Sequence, residues 1–257
     1  MMRFIGLFAS VLCLSACGNG ASSVGLSTRM GSAVSGASLP GQAVQRLETS
    51  NGITVERVRL SVRELELKRE GHHDDDATKD DAGTSTDDSS EQKQRTGAFL
   101  IDLSGAALEG QVVRLRDVTV EAGTYDEIEF DIGKVSATEA GDNAALKELA
   151  DLGASVVIDG HIDGAPFQFV SSLRVEQERE ADFVVTEGDD QNVTINIDPS
   201  SWFTGEGGTR LDPRDEHNRS QLENNLHKSI DAFDDHDRNG GEDSDDDNGS
   251  HHDGKDD

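Results

Sequence analysis

The chain has 257 residues and a formal net charge of −29, with 33% hydrophobic and 29% charged residues. So many carboxylates repel a phosphate backbone, which excludes nucleic acid as a partner, and they attract divalent cations or basic partners. Because solvated carboxylates bury no apolar surface, the composition also excludes a chain that is globular throughout. The apolar residues that remain can still form a core of modest size.

The first 16 residues have the pattern of a secretory signal peptide. Arg3 supplies the positive charge, and the apolar run at residues 4–14 is too short to span a bilayer. Small residues follow this run directly, as they do at a cleavage site. We therefore expect the chain to be exported and residues 1–16 to be removed.

Residues 14–17, Leu-Ser-Ala-Cys, resemble the lipobox of bacterial lipoproteins at all four positions. The resemblance implies that the chain is cut before Cys17 and that the Cys17 sulfur carries a diacylglyceryl group. Two or three acyl chains hold a protein stably on a membrane, whereas one holds it only marginally. By analogy with Gram-negative sorting, Gly18 predicts the outer membrane. Cys13 lies in the discarded segment, so the mature chain has no thiol left for a disulfide. The alternative is an ordinary signal peptide that carries a cysteine near its cut site.

A single β-rich domain is expected over residues 52–213. Residues 17–51 are rich in Gly, Ser and Ala, and we interpret them as a flexible tether. Inside the domain, short alternating segments and turn signals predict about seven or eight strands. The low-complexity segment 71–96 lacks this periodicity and is expected to be a disordered acidic insert. These features favour a mainly β fold, an antiparallel β-sandwich of the immunoglobulin-like or prealbumin-like type.

The first predicted strand, residues 53–68, changes phase twice. Val55 and Leu65 share one face, whereas Val58 and Leu60 take the other. Since successive side chains of a strand point to opposite faces, these slips predict β-bulges or a break into two strands.

A C-terminal helix is predicted over residues 214–234. Ser220 and Glu223 have the spacing of a capping box, and apolar residues from Leu222 to Phe233 recur on one helical face. We expect this helix to pack on the β domain.

Beyond the helix, residues 235–257 are expected to form a disordered acidic tail. Part of the tail matches the ligand spacing of an EF-hand calcium loop, with a glycine at the sixth position. The candidate ligands are Asp235, Asp237, Asn239, Gly241, Asp243 and Asp246. The match departs from the pattern at Glu242, where an apolar residue is usual, and at Asp246, which is shorter than the usual glutamate. Two interpretations therefore stay open, a calcium loop and a solvated tail.

The sequence gives few signs of catalysis. It contains no Gly-x-Ser-x-Gly, His-Glu-x-x-His or P-loop motif. The carboxylates from Asp126 to Asp131 alternate with apolar residues, as on the solvated face of a strand. The clusters His72-His73 and His251-His252 lie beside aspartates and could bind transition metals weakly, or simply keep the chain soluble. We predict no enzyme, and no cofactor apart from calcium if the tail loop binds it.

Three segments resemble a group of uncharacterised bacterial lipoproteins with a β-sandwich domain of unknown function. They are residues 120–128, 159–167 and 197–203, and the resemblance extends from Ile53 to Gly240. It implies the fold and an envelope location without implying an activity.

These patterns together predict a membrane-anchored exported lipoprotein. We expect a non-enzymatic binding or structural module of the cell envelope, with a protein or glycan partner that the sequence does not identify. One alternative is a calcium- or divalent-cation-dependent envelope or adhesion protein that uses the acidic C-terminal loop. Another is a hydrolase with an unrecognised site.

Overall fold

The computed structural model describes residues 22–31, 47–49, 51–69, 93–188 and 190–243. The predicted signal peptide at 1–16, the predicted lipid attachment site Cys17, most of the predicted insert at 71–96 and the tail beyond residue 243 lie outside the described residues. The prediction of a disordered insert is wrong for Lys93–Arg95, which form a strand paired with residues 66–68. The described strands are β1 Ser22–Met30, β2 Leu47–Glu48, β3 Ile53–Arg69, β4 Lys93–Arg95, β5 Phe99–Ser104, β6 Val113–Val120, β7 Gly123–Ile132, β8 Val156–Ile162, β9 Ala165–Ser171, β10 Val175–Val185, β11 Asp190–Ile197 and β12 Ile230–Asp234. The two α-helices are α1 Ala144–Leu152 and α2 Arg219–His227.

The prediction of a mainly β fold is confirmed. Four strands form one sheet in the order β12-β11-β1-β6, and eight strands form a second sheet around β3. In the second sheet the main path is β10-β7-β3-β8-β9, and β2, β4 and β5 also pair with β3. Among the described strands every pairing is antiparallel except that of β1 with β11, which is parallel.

Strand β3 organises the eight-stranded sheet because it is long enough to pair with two strands in succession along one edge. Residues 53–60 pair with β8 and residues 62–69 pair with β7. Ser61 lies at the junction, where its N–H donates to Ser155 O at 2.9 Å and its Oγ donates to Gly133 O at 2.7 Å. The other edge of β3 pairs with β2, β5 and β4.

The two predicted irregularities in β3 are confirmed. The register with β8 shifts between Val55 and Arg57, and the register with β7 shifts between Val62 and Glu64. Each bulge moves the buried phase by one residue, which keeps apolar side chains on the core side along the whole strand.

One hydrophobic cluster contains side chains from both sheets. Val24 and Leu26 of β1 and Ile195 of β11 lie in it with Leu60 and Leu65 of β3, and all five are fully buried. The two sheets therefore share a core. Within the described residues, no helix is both long and apolar enough to cross a membrane.

The prediction of a tether over residues 17–51 is wrong for Ser22–Met30 and for Leu47–Glu48. Strand β1 lies between β11 and β6 and pairs with both. Its residues Val24, Leu26 and Met30 are at most 1% exposed. The high Gly and Ser content of the whole segment hid the fact that these apolar residues stand at even spacings, as buried strand residues do.

The prediction of one helix over residues 214–234 is wrong at both ends. Helix α2 covers only Arg219–His227, and Ile230–Asp234 form β12, which pairs with β11. The chain leaves the helix at Ser229, whose Oγ accepts a 2.7 Å hydrogen bond from Trp202 Nε1 in the core. The predicted capping box does not form, because the helix begins at Arg219 and Ser220 lies inside it; the Glu223 carboxylate accepts from Ser171 Oγ at 2.7 Å.

We expect Leu26→Ala to lower the free energy of unfolding by about 2–5 kcal/mol, as for other buried leucines that leave a cavity. Leu152, at the end of α1, is 47% exposed. It provides the matched control, because Leu152→Ala should change the stability by only about 0.5 kcal/mol. Urea denaturation of both variants measures the difference. Equal midpoints for Leu26→Ala and the parent chain would contradict a buried β1.

Candidate functional site

The first candidate site is the acidic loop, which we define as residues 235–243. This loop is not part of a disordered tail, as the sequence led us to expect, because it is bonded to the four-stranded sheet. The Asp235 N–H donates to Asn192 O at 2.9 Å, and the Asp243 N–H donates to Asp234 O at 3.2 Å. A guanidinium N–H of Arg29 donates to the carbonyl oxygen of Gly240.

A chain of buried polar side chains connects the sheet to the acidic loop. Ser27 Oγ donates to Asn192 Oδ1 at 2.8 Å, and Asn192 Nδ2 donates to Thr194 Oγ1 at 3.1 Å. Thr194 Oγ1 in turn donates to Asp235 Oδ2 at 2.6 Å, and the Gly240 N–H lies 3.1 Å from the same oxygen. Because buried polar groups are costly when left without partners, this chain fixes the loop on the sheet.

Two glycines permit the close approach of the acidic loop. A Cβ at Gly25 of β1 would lie 3.0 Å from Asn192 Oδ1 and 3.7 Å from Arg238 Nη2. Gly240 has a φ of 81°, and a Cβ there would meet Arg29 Cδ at 2.6 Å. A larger residue at Gly240 would be strained and would also push the loop off the sheet.

Asp235 lies in an unfavourable environment for a negative charge. Its side chain is fully buried, and burial raises the pKa of the carboxyl above its usual value. Hydrogen bonds from Thr194 and Gly240 work in the opposite direction, and the charges of Asp237 and Asp243 raise the pKa further. A cation bound nearby would relieve this cost.

The structure places five of the six predicted calcium ligands in one loop. Four of the five have side chains, and each of these side chains already accepts a hydrogen bond from the protein. Asp237 Oδ1 accepts from the Asn239 N–H at 3.0 Å, and Asn239 Oδ1 accepts from the Gly241 N–H at 2.7 Å. Asp243 Oδ2 accepts from the His236 N–H at 2.6 Å.

The acidic loop does not gather its carboxylates at one point. Within the described ranges, the oxygens of Asp235, Asp237 and Asp243 do not come within 4.8 Å of one another as a set of three. The sixth predicted ligand, Asp246, lies outside the described residues. Of these three carboxylates Asp237 is the one exposed to solvent, and both of its oxygens accept hydrogen bonds from Asn239.

The second candidate site is the charged groove, a cavity of about 440 Å³ on the face of the eight-stranded sheet that points away from the core. Charged side chains of four neighbouring strands form its rows. One row runs across β10, β7, β3 and β4 as Glu178, Glu129, Glu66 and Arg95. The next row of the sheet is Glu180, Glu127, Lys68 and Lys93, of which Lys68 and Lys93 line the cavity.

Lys68 lines the charged groove and is only 6% exposed. Its Nζ lies 2.6 Å from Glu127 Oε1, 3.2 Å from Glu129 Oε2 and 3.9 Å from Glu178 Oε1. Burial disfavours the charge, but the hydrogen bonds to Glu127 and Glu129 outweigh it and raise the pKa of Lys68. Carboxylate oxygens of these three glutamates lie within 4.8 Å of one another, close enough to bind one metal ion. The Lys68 ammonium lies between them and already supplies the positive charge.

Sequence reasoning missed Lys68 and Glu66 as buried charges. It assigned Glu127 and Glu129 to a solvated strand face, and the structure puts them on the outward face but in ion pairs. The only local signal is that Glu64, Glu66 and Lys68 alternate with buried leucines, which places them opposite the core without saying what they meet.

No protein-family model matches the sequence, and neither a curated protein nor a solved structure matches it. The resemblance to bacterial lipoproteins therefore rests on the residues of this chain alone.

Asp235→Asn tests the electrostatic cost at the acidic loop. Below the unfolded-state pKa of about 3.9 the Asp235 carboxyl is neutral in both the folded and the unfolded chain. Burying it then costs no charge, and the native chain has its full stability. Because the folded pKa is raised, part of that stability is lost as the pH rises through the folded pKa. The native chain should thus lose stability relative to Asp235→Asn as the pH rises above about 3.9 and through the raised pKa of Asp235.

Urea denaturation at several pH values measures this difference. Asp182→Asn on β10 is the matched control, because Asp182 is exposed and the charge change is the same. If the free energy of unfolding changes with pH equally in both variants relative to the native chain, burial of Asp235 does not cause the pH dependence.

Proposed function

We propose that the protein is an exported lipoprotein, anchored through Cys17 to the outer membrane of a bacterial envelope, and that it acts there as a non-enzymatic binding or structural module. The lipobox at residues 14–17, placed directly after an apolar run, is the observation that carries this proposal. The fold is compatible with it, since the first described strand begins at Ser22 and cleavage before Cys17 would remove none of that strand.

The proposed module is a β-sandwich of the immunoglobulin-like or prealbumin-like type. Two sheets that share one hydrophobic core support this architecture. A binding or structural role is favoured because the buried charged side chains bond to other residues of the fold. Lys68 and Asp235 are both buried and bonded within the fold, whereas a general acid or base must reach the substrate proton.

Cys17→Ser tests the anchor. The variant should lose radiolabelled palmitate and move from the membrane fraction to the soluble fraction, because no acyl chain remains to hold it. Cys13→Ser is the matched control, since Cys13 lies in the segment removed by cleavage and its variant should remain acylated. Membrane attachment of Cys17→Ser equal to that of the parent would contradict the proposal.

A calcium- or divalent-cation-dependent envelope protein is the second candidate function. The observation that favours it is the fixed acidic loop, in which Gly240 takes a left-handed conformation at the sixth position and Asp237 stays exposed. Cations bound to this loop would bridge the protein to other anionic surfaces of the envelope.

Calorimetric titration with calcium tests this second function. We expect saturable heat in the native chain and its loss in Asp237→Ala, because Asp237 is the exposed carboxylate among the predicted ligands that the structure describes. Asp237 is preferable to Asp235 for this test, since Asp235 is buried and its replacement would also disturb the fold. Asp182→Ala should leave the heat unchanged. A native chain without saturable heat, or heat that survives in Asp237→Ala, removes the loop as a calcium site.

A further inference from the structure

We propose that the end of the two-sheet fold at which β1 begins faces the lipid headgroups and is held within about 18 Å of the acylated cysteine. This inference rests on the proposed anchor at Cys17. We call this part of the fold the Ser22 end, and it comprises Ser22, the turn at residues 121–122, the segment 186–188 and Asp234 at the end of β12. The occupant of this surface is the headgroup layer of the membrane that holds the anchor.

The start of β1 is a fixed point of the fold. Ser22 pairs with Val120 of β6, and its Oγ donates to Thr186 O at 3.3 Å. The strand that follows pairs on both edges and buries Val24 and Leu26 completely. Pulling β1 out to lengthen the linker would open the four-stranded sheet and expose its core side chains.

The chain between the anchor and Ser22 is very short. Residues 18–21 are the only ones between Cys17 and Ser22. Five Cα steps span at most about 18 Å when fully extended. Strand β1 has nine residues and is about 27 Å long, so the linker cannot reach from one end of the strand to the other. The flexible tether predicted over residues 17–51 would extend to roughly 120 Å, and the domain could then take any orientation relative to the membrane.

Strand directions define which residues accompany Ser22. Strand β10 ends at Val185 opposite Gly123, where β7 begins. Strand β12 ends at Asp234 opposite Val193, near the start of β11. Met30 and the segment 105–110 lie at the other end, since a Cβ at Gly110 would be 3.3 Å from the Met30 carbonyl oxygen. The anchor therefore selects one end of the fold.

The chemistry of the Ser22 end fits contact with headgroups and not insertion into hydrocarbon. Glu121 and Glu187 are exposed there, beside the small residues Ala122 and Gly188. Glu121 also pairs with Arg69 at 3.1 Å. Charges of this kind are costly in the bilayer core but remain solvated in the headgroup layer.

Energy transfer from single labelled cysteines to a headgroup acceptor tests the orientation. The acylated protein is purified and reconstituted into vesicles of phosphatidylethanolamine and phosphatidylglycerol. Its mature form would have no free thiol, since Cys17 is acylated and Cys13 is removed. Ala122→Cys marks the Ser22 end and Ala106→Cys marks the opposite end, and both alanines are exposed.

The transfer efficiency at residue 122 should exceed that at residue 106 about twofold or more, since the positions are separated by roughly the length of β1, about 27 Å. Insertion of 20 Gly and Ser residues after Ala21 should lower the efficiency at residue 122 toward that at residue 106, because such a linker is flexible. Equal efficiencies without the insertion, or a higher value at residue 106, would overturn the orientation.

Mass spectrometry of the N-terminal peptide from the same sample separates the two proposals. An acylated peptide together with equal transfer efficiencies overturns the orientation alone. An unmodified peptide overturns the anchor and, with it, the orientation.

Discussion

The insertion of β1 between β11 and β6 is the constraint on which the rest of the structure depends. Without β1 the pair of β11 and β12 would have no connection to β6 in the four-stranded sheet. The strand also presents Ser27 and Gly25 to the outer face, where the acidic loop is bonded. The strand β1 thus holds together the four-stranded sheet, the side chains that this sheet adds to the shared core, and the surface on which residues 235–243 rest.

Local periodicity predicted part of this fold and missed the rest for physical reasons. The apolar residues of β3 are dense enough to reveal the register shifts after Val55 and Val62, whereas the apolar residues of β1 are diluted by Gly25, Ser27 and Thr28. The end of α2 was missed because Leu226 and Ile230 fit a helical repeat even though a turn at Ser229 separates helix from strand. The spacing of apolar residues does not reveal a turn that falls between two of them.

The candidate sites depend on pairings that the local sequence does not contain. The spacing of Asp235, Asp237 and Asn239 is visible in the chain, but the burial of Asp235 follows from Thr194, which lies 41 residues earlier. The same holds for Lys68, whose partner Glu127 reaches it only through the register of β3 with β7. A carboxylate that looks solvated in an alternating strand becomes the half-buried partner of a buried cation once a neighbouring strand supplies that cation.

The position of β1 also bears on the acidic segments that border the described fold. Arg69 and Asp243, from which residues 70–92 and 244–257 continue, both lie at the Ser22 end, since Arg69 pairs with Tyr125 and the Asp243 N–H donates to Asp234 O. If Cys17 is acylated, these segments start near the headgroups. Repulsion between them and anionic lipids falls off over a Debye length of about 8 Å at physiological salt. The linker spans at most about 18 Å, so this repulsion acts on the two segments where the Ser22 end contacts the headgroups and is largely screened only when the linker is fully extended.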